Sequence, residues 1–210
     1  MDLILKVGVL IVVLVVVISV VWLLASHQKS GQLTQSQAEQ LVLSDVKQSN
    51  PNATISVVSV TNSPLEANSW QITLSVTYNG SRPCPTLLIE GFDYPATGLV
   101  PSTDNLYTKG CVIYGLSNAP SYVISSPEIA IVRSYTANSA TITHYVSTYG
   151  YNNTIVHAAF YSSLGANATP LGKQFSNVWL VNYSAAGTSY NLLAVLAQSG
   201  QIQGTYNSSK

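Results

Sequence analysis

Residues Trp70 to Tyr78 read WQITLSVTY and alternate strictly between large apolar and polar side chains. A period of two places every second side chain on the same face of a β-strand. One face of this strand would carry Trp, Ile, Leu, Val and Tyr, and the other Gln, Thr, Ser and Thr. Asn79-Gly80, which follows at once, is typical of a β-hairpin turn. The stretch therefore predicts an antiparallel sheet with one face packed on a core.

A helix and two further strands are predicted around this strand. The segment Thr34-Gln-Ser-Gln37 has the capping-box pattern of a helix start. Asn50-Pro51 ends this helix, because the residue before proline disfavours helical backbone. Residues 53–61 and 86–91 complete an antiparallel meander. The apolar stripe of the helix, with one polar interruption, is formed by Ala38, Leu41, Val42, Asp45 and Val46.

The second half of the body repeats this order of a helix and then strands. Ser126-Pro127-Glu128 combines a capping residue, a first-turn proline and an acid at the positive end of the helix dipole. We expect this helix to continue with breaks to Gly150. Residues 92–119 show no periodicity and are predicted to be a long loop. The later strands are expected at residues 154–161, 177–184, 190–197 and 201–206.

An apolar segment near the N-terminus predicts a membrane anchor. Residues 7–25 read VGVLIVVLVVVISVVWLLA and contain no charged residue and no proline. As a helix they would span about 28 Å, close to the ~30 Å hydrocarbon core of a bilayer. A cleaved signal peptide is the alternative, although Leu23-Leu24-Ala25 places a leucine where a small residue is preferred. A pilin-type leader is a third reading, but Lys6-Val7-Gly8 matches it poorly.

Composition and modification signals place the body outside the cytoplasm. Charged residues make up 8% of the chain, with zero net charge, against about 25% in an average domain. A nucleic-acid partner is therefore not expected, because no basic face is available. Cys84 and Cys111 are the only cysteines and predict one structural disulfide in an oxidising compartment. Candidate glycosylation acceptors are Asn52, Asn79, Asn152, Asn167, Asn182 and Asn207.

The low charge also suggests a hypothesis about the environment. A surface made of hydroxyls and amides hardly changes its charge with pH, which suits an acidic exterior. Glycosylation and compositional bias would explain the same observation without acid adaptation.

These elements divide the chain into four segments and give an α+β class. Residues 1–26 are the predicted transmembrane anchor and residues 27–33 a linker. Residues 34–119 form a first α+β unit with the disulfide loop, and residues 120–210 form a second α+β unit. Each unit is a helix followed by an antiparallel sheet, and a Trp-led strand occurs at matching places. An internal duplication and a coincidence in the order of helix and strands would explain this parallel equally well.

A family resemblance accompanies this order of elements. The helix Thr-Gln-Ser-Gln-Ala-Glu-Gln, the Trp-led strand and the ending of Tyr190 to Gly204 are similar to PepSY-like and cystatin-like domains. The resemblance covers residues 34–91 and 126–206. It implies an extracytoplasmic, membrane-tethered domain that binds or inhibits other proteins, notably peptidases. Where PepSY-like domains have an Asp before the closing Gly, this chain has Gln198-Ser199.

Few side chains offer chemistry. Glu90 and Asp93 are the only carboxylates close together in the body, and they would be loop charges or a general acid/base pair. His144 and His157 lack further ligands at metal-binding spacing, so neither a metal nor another cofactor is expected. Several tyrosines would form either an exposed binding surface or half-buried sheet positions. They are Tyr107, Tyr114, Tyr122, Tyr135, Tyr145, Tyr149 and Tyr151.

The sequence thus predicts a single-pass membrane protein with an outward-facing, non-catalytic body. We expect binding or assembly in the cell envelope, with lipid contacting residues 7–25 and protein partners contacting the body. The alternatives are an envelope hydrolase that uses Glu90 and Asp93 and a PepSY-like peptidase regulator.

Overall fold

The computed structural model describes residues 33–114, 124–137 and 139–209. The predicted membrane segment, residues 7–25, and nearly all of the predicted linker lie outside these residues. Within the described ranges, no helix has both the length and the apolar character needed to cross a bilayer. The residues from Gln35 onward form one compact unit.

The described chain confirms an α+β class with two antiparallel sheets. Sheet 1 has the strand order β1-β2-β3-β4-β5 and sheet 2 the order β6-β7-β8-β9. The helices are α1 (Gln35–Ser49), α2 (Pro127–Thr136) and α3 (Ala140–Tyr149). The strands are β1 (Thr54–Asn62), β2 (Trp70–Tyr78), β3 (Thr86–Tyr94), β4 (Thr103–Lys109), β5 (Val112–Ile113), β6 (Thr154–Leu164), β7 (Phe175–Ala185), β8 (Tyr190–Ala197) and β9 (Ile202–Ser209).

Helix α1 covers one face of sheet 1. The alternation in β2 is confirmed, because Ile72, Leu74 and Val76 are fully buried in the cluster that includes α1. From the helix, the buried members are Ala38, Val42 and Val46. Leu41, which the helical stripe predicted to be apolar contact area, is exposed instead. The buried face of α1 is thus narrower than the apolar stripe in its sequence, and three small or β-branched side chains form it.

Helix α2 lies between the two sheets. It contacts β6, β7 and β8 of sheet 2 and also β4 and β5 of sheet 1. The largest core cluster accordingly joins Leu87 of β3, Ile129 and Ala130 of α2, and Val181 and Leu192 of sheet 2. This cluster therefore serves both halves of the body, and α2 packs on part of the face of sheet 1 that α1 does not cover. The face under α1 has a cluster of its own.

Polar contacts also link the halves at the β2–β3 turn, and a further bond ties the start of α2 to sheet 2. The Val156 N–H donates to the Ser81 carbonyl at 2.9 Å, and the Arg82 guanidinium donates to the Asn152 carbonyl. At the entrance to α2, the Trp179 indole N–H donates to the Ile124 carbonyl at 3.2 Å. These bonds attach the β2–β3 turn to the start of β6, and sheet 2 to the segment that leads into α2.

One prediction about element boundaries is wrong, and a second, the helix with breaks that ends at Gly150, is confirmed with one break located. Residues 92–119, predicted as a loop, contain the end of β3, all of β4 and the short β5. Strand β4 reads TDNLYTK and has few apolar side chains, so its sequence does not resemble that of a buried strand. Hydrogen bonds to β3, rather than burial of side chains, hold it in the sheet. The second predicted helix is two helices, since α2 ends at Thr136 and Ser139 precedes α3.

A disulfide joins Cys84 to Cys111, with the Cα atoms 4.7 Å apart. Cys84 precedes β3, and Cys111 lies in the turn between β4 and β5. The Thr108 hydroxyl donates to the Pro85 carbonyl at 2.8 Å at the same end of the sheet. The bridge therefore ties two neighbouring strand ends of sheet 1 and encloses paired strands rather than a structureless loop.

Candidate binding groove

A groove of about 510 Å³ lies between sheet 1 and the first turn of α2. We call it the α2 groove. Its apolar floor is formed by Leu87 and Ile89 of β3 together with Ile129 of α2. The remaining lining residues are Ser56, Val58, Ser75, Tyr107, Ser125, Ser126, Pro127 and Glu128. The groove thus combines an apolar base with walls of hydroxyl groups and a single carboxylate.

The wall on the sheet side follows from strand register. Ser56 of β1 lies directly opposite Ser75 of β2, so both hydroxyls occupy one face of the sheet. This face is the one that carries Leu87 and Ile89, because Leu87 pairs with Thr77 and Ile89 with Ser75. Short polar side chains on β1 and β2 therefore leave open the part of the face that α2 does not reach.

The wall on the helix side is fixed by the cap of α2. The Ser126 hydroxyl accepts a hydrogen bond from the Ile129 N–H at 3.3 Å, as the N-cap prediction requires. The Thr77 hydroxyl donates to the Glu128 carboxylate at 3.4 Å and links the first turn to β2. Glu128 is the only formally charged residue in the lining. The groove consequently favours a neutral or positively charged ligand with an apolar portion.

Val58 is the lining residue that lies at an irregularity of β1. The register of β1 with β2 shifts between Val57 and Ser59, so Val58 is an extra, bulged residue. Its side chain is 58% exposed at the mouth of the groove, whereas Val57 packs toward α1. Two adjacent valines in an otherwise alternating strand were the available signal for this bulge. The sequence does not show that Leu87 and Ile89 line a groove, because apolar strand residues are expected equally in a core and on a groove floor.

The predicted carboxylate pair is not brought together. Glu90 lies opposite Leu74 and Asp104, on the face of sheet 1 that α1 covers. Asp93, three residues further along the same strand, lies opposite Gln71 on the other face. Asp93 is buried, and its carboxylate accepts a hydrogen bond from the Ser63 hydroxyl at 2.8 Å. The two groups therefore cannot act together on one substrate.

Glu90 instead has Asp104 as its neighbour. Burial, and secondly the nearby Asp104 carboxylate, raise the pKa of Glu90 above its ordinary value. Sequence spacing could not reveal this pair, because the two residues meet only through the β3–β4 register.

The two histidines do not form a site with other titratable groups. His144 is exposed on α3, and His157 is exposed on β6. No group of three or more His, Cys, Asp or Glu side chains suited to a metal ion occurs among the described residues.

The predicted tyrosine set divides between different places. Tyr145 is buried and packs against Tyr149 and Tyr190, with ring centroids 4.8 and 5.8 Å apart. Tyr135 meets Tyr151 edge-on at 6.5 Å. Tyr107 lines the α2 groove and Tyr114 is exposed at the end of sheet 1, while Tyr122 lies outside the described residues. The tyrosines therefore contribute packing around α2 and α3 more than one continuous surface.

The candidate glycosylation acceptors differ in accessibility. Asn182 lies in the middle of β7, a central strand, and is half-buried. The other five are exposed in turns, short 3₁₀ helices or the edge strand β9, and they are Asn52, Asn79, Asn152, Asn167 and Asn207.

A second cavity, of about 460 Å³, lies at the other end of α2. It is lined by Arg133 and Thr136 of α2 and by the β8–β9 turn around Gly200. A side chain at position 200 would collide with Arg133, and the backbone there has φ 85°. Glycine is therefore needed at this turn for two reasons.

The chain was compared with known proteins at the level of family, sequence and structure. No protein-family model, curated protein or solved structure matches it.

Proposed function

We propose that this chain is a binding or assembly protein of the cell envelope that recognises a protein partner through the α2 groove. Residues 7–25 would anchor it in the membrane, and the body would lie outside the cytoplasm. The observation that carries the proposal is the groove itself, with its apolar floor, its hydroxyl walls and the single carboxylate of Glu128. No described acid/base pair shares a face with it, so we favour binding over catalysis.

The chemistry of the groove suggests the kind of segment it binds. Extended peptide backbone can hydrogen-bond to the Ser56 and Ser75 hydroxyls, while an apolar side chain covers Ile89. A Lys or Arg of the partner would pair with Glu128. We therefore expect a short, uncharged or basic segment of an envelope protein, held with modest affinity and weakened by salt.

The test is partner capture from native membranes with the full-length chain in mild detergent. Val58→Asp places a charge at the mouth of the groove and should remove the stoichiometric partner. Val100→Asp is the matched control, because Val100 is likewise exposed but does not line the groove. Retention of the same partner in the same ratio by the Val58→Asp protein would contradict the groove assignment. Circular dichroism of both variants checks that the fold is kept.

The intact mass of the captured chain tests the anchor. A chain that runs from Met1 to Lys210 and carries glycans supports an anchored, outward-facing protein. A chain that begins near Ser26 and lacks modification would indicate a cleaved leader and remove the anchor from the proposal.

A PepSY-like peptidase regulator is the second candidate. It is favoured by the order of elements, because each sheet is a meander that follows helical structure. In this case the captured partner would be a peptidase whose activity falls when the wild-type chain is added.

A further inference from the structure

The edge strand β6 exposes main-chain groups that have no partner among the described residues. Because Val156 points its N–H away from β7 and toward Ser81, alternate residues of β6 point the same way. The outward residues beyond Val156 are Ala158, Phe160, Ser162 and Leu164. No backbone hydrogen bond from another described residue reaches their outward N–H or C=O groups.

This edge also lacks the features that protect other sheet edges. β1 and β9 each take part in a register shift, and β5 has only two residues. β6 keeps one register with β7 from Thr154 to Leu164, interrupted only opposite Ser162, and it contains no Pro, Lys, Arg, Asp or Glu. Bulges, charges and short length are the usual means of blocking an edge from pairing with another chain. β6 uses none of them.

Apolar side chains flank the free part of the edge on both faces of sheet 2. Phe160 is 43% exposed and packs edge-on against Trp179 at 5.6 Å, so it extends the core to the edge. Tyr161, on the opposite face, is 38% exposed. A strand added beside β6 would cover both side chains as well as satisfy the main chain.

We propose that β6 pairs antiparallel with β6 of a second copy of this chain, about a two-fold axis at Tyr161. A symmetric antiparallel pair is self-complementary, as a two-fold dimer requires. Centring it on Tyr161 pairs Phe160 with Ser162 and Ala158 with Leu164, so that all four outward residues gain partners. This register leaves the Val156–Ser81 bond undisturbed. It also brings together no like formal charges, since β6 has none.

The proposal is independent of the α2 groove, and cysteine cross-linking tests it. Both native cysteines are in the disulfide, so a new cysteine is the only free thiol. Across the axis, the Tyr161 Cα atoms form a non-hydrogen-bonded pair about 4.5 Å apart, within the range for a disulfide. The Tyr161→Cys full-length chain, diluted to one chain per micelle on average and then mildly oxidised, should become a disulfide dimer.

The matched control is Ile155→Cys. Ile155 is similarly exposed on the same face of the same strand, but the two copies would be roughly 40 Å apart in this register. We expect at least tenfold less dimer from it. A mixture of Ala159→Cys and Ser163→Cys chains should cross-link, whereas either chain alone should not, because only the mixed pair is opposed.

A blocking variant completes the experiment. Ser162→Pro removes an outward N–H and no bond to β7, so it should abolish the Tyr161→Cys cross-link. Ser162→Lys, which keeps the backbone donor and adds a charge at the edge, should weaken it at least tenfold. Equal cross-linking of Tyr161→Cys and Ile155→Cys, or none in the Ala159/Ser163 mixture, overturns the proposal. If β6 paired only with a strand of another protein, the Ala159/Ser163 mixture would not cross-link, and the proposal would be overturned in the same way.

Discussion

Glu90 shows how a single residue makes stability depend on pH. Burial and the Asp104 carboxylate raise its pKa in the folded chain above the ordinary value of 4.5. A raised pKa means that the proton stabilises the fold. This contribution is complete below the unfolded pKa and is lost as the pH rises through the folded pKa.

Glu90→Gln should therefore stabilise the protein at neutral pH and have little effect at acidic pH. The expected gain at pH 7 is less than about 1 kcal/mol, because solvent screens a partly exposed pair. Urea unfolding at pH 7 and pH 3 measures it. Glu66→Gln, in the exposed β1–β2 turn, is the control and should change neither value. A gain from Glu90→Gln that is the same at both pH values would contradict the assignment.

The same residue shows what sequence could contribute to the site. The spacing of Glu90 and Asp93 suggested a pair, but an odd separation along a strand places them on opposite faces. The real neighbour, Asp104, belongs to a strand whose existence the sequence did not reveal. For the groove, Ser126 and Glu128 were identified as a helix start, whereas their position over Leu87 and Ile89 depends on tertiary packing.

At the scale of the elements, the stability of α2 depends on the cap of its first turn. Ser126→Ala removes the acceptor of the Ile129 N–H and should lower the free energy of unfolding by about 1 kcal/mol. Ser125→Ala is the matched control, since Ser125 is exposed and adjacent but does not cap the helix. Thermal or urea unfolding distinguishes the two. An equal effect of both substitutions would mean that the cap bond contributes nothing.

Sheet 1 depends on the bridge between Cys84 and Cys111. Their separation of 27 residues closes a loop in the unfolded chain. Replacing both cysteines with Ala should cost about 3–4 kcal/mol in the entropy model. Urea unfolding of the double variant, with the reduced wild-type chain as a comparison, measures this cost. Unchanged stability in both samples would show that the paired β3 and β4 already supply this restraint.

Elements were predictable where burial follows a simple period. Helix α1, β2 and β8 were predicted nearly residue for residue. Helix α1 and β2 each have one face on a core, whereas β8 is a short apolar run between turn residues and is buried on both faces. Strand β4 was missed because hydrogen bonds to β3 order it while its side chains stay polar. The break between α2 and α3 was expected but not located, since the β-branched residues around it satisfy both helical and extended patterns.

The body from Gln35 onward should unfold as one unit. Leu87 of sheet 1 shares a core cluster with α2 and sheet 2, so separating the halves would expose part of this cluster in each of them. Trp70 reports on sheet 1 and Trp179 on sheet 2. With Trp22 replaced by Phe, chains that retain only Trp70 or only Trp179 should give the same urea midpoint by fluorescence. Two separate midpoints would instead indicate independently stable halves.

At this scale, the α+β class was predictable from the repeated order of helix and strands. The shared use of α2 was not, because no local pattern tells a helix with one covered side from a helix between two sheets. The membrane anchor at residues 7–25 and the side of the membrane on which the body lies stay predictions.

The position of α2 also bears on how the protein is made. Synthesis proceeds from the N-terminus, so α1 and strands β1 to β3 emerge first, and α1 can cover its face of the sheet at once. The opposite face, with Leu87 and Ile89, must wait until residues beyond Ser126 have been translated. During this interval the nascent chain carries an uncovered apolar surface, which is the state that chaperones recognise. Pausing translation before α2 should therefore prolong chaperone contact, whereas pausing after β9 should not.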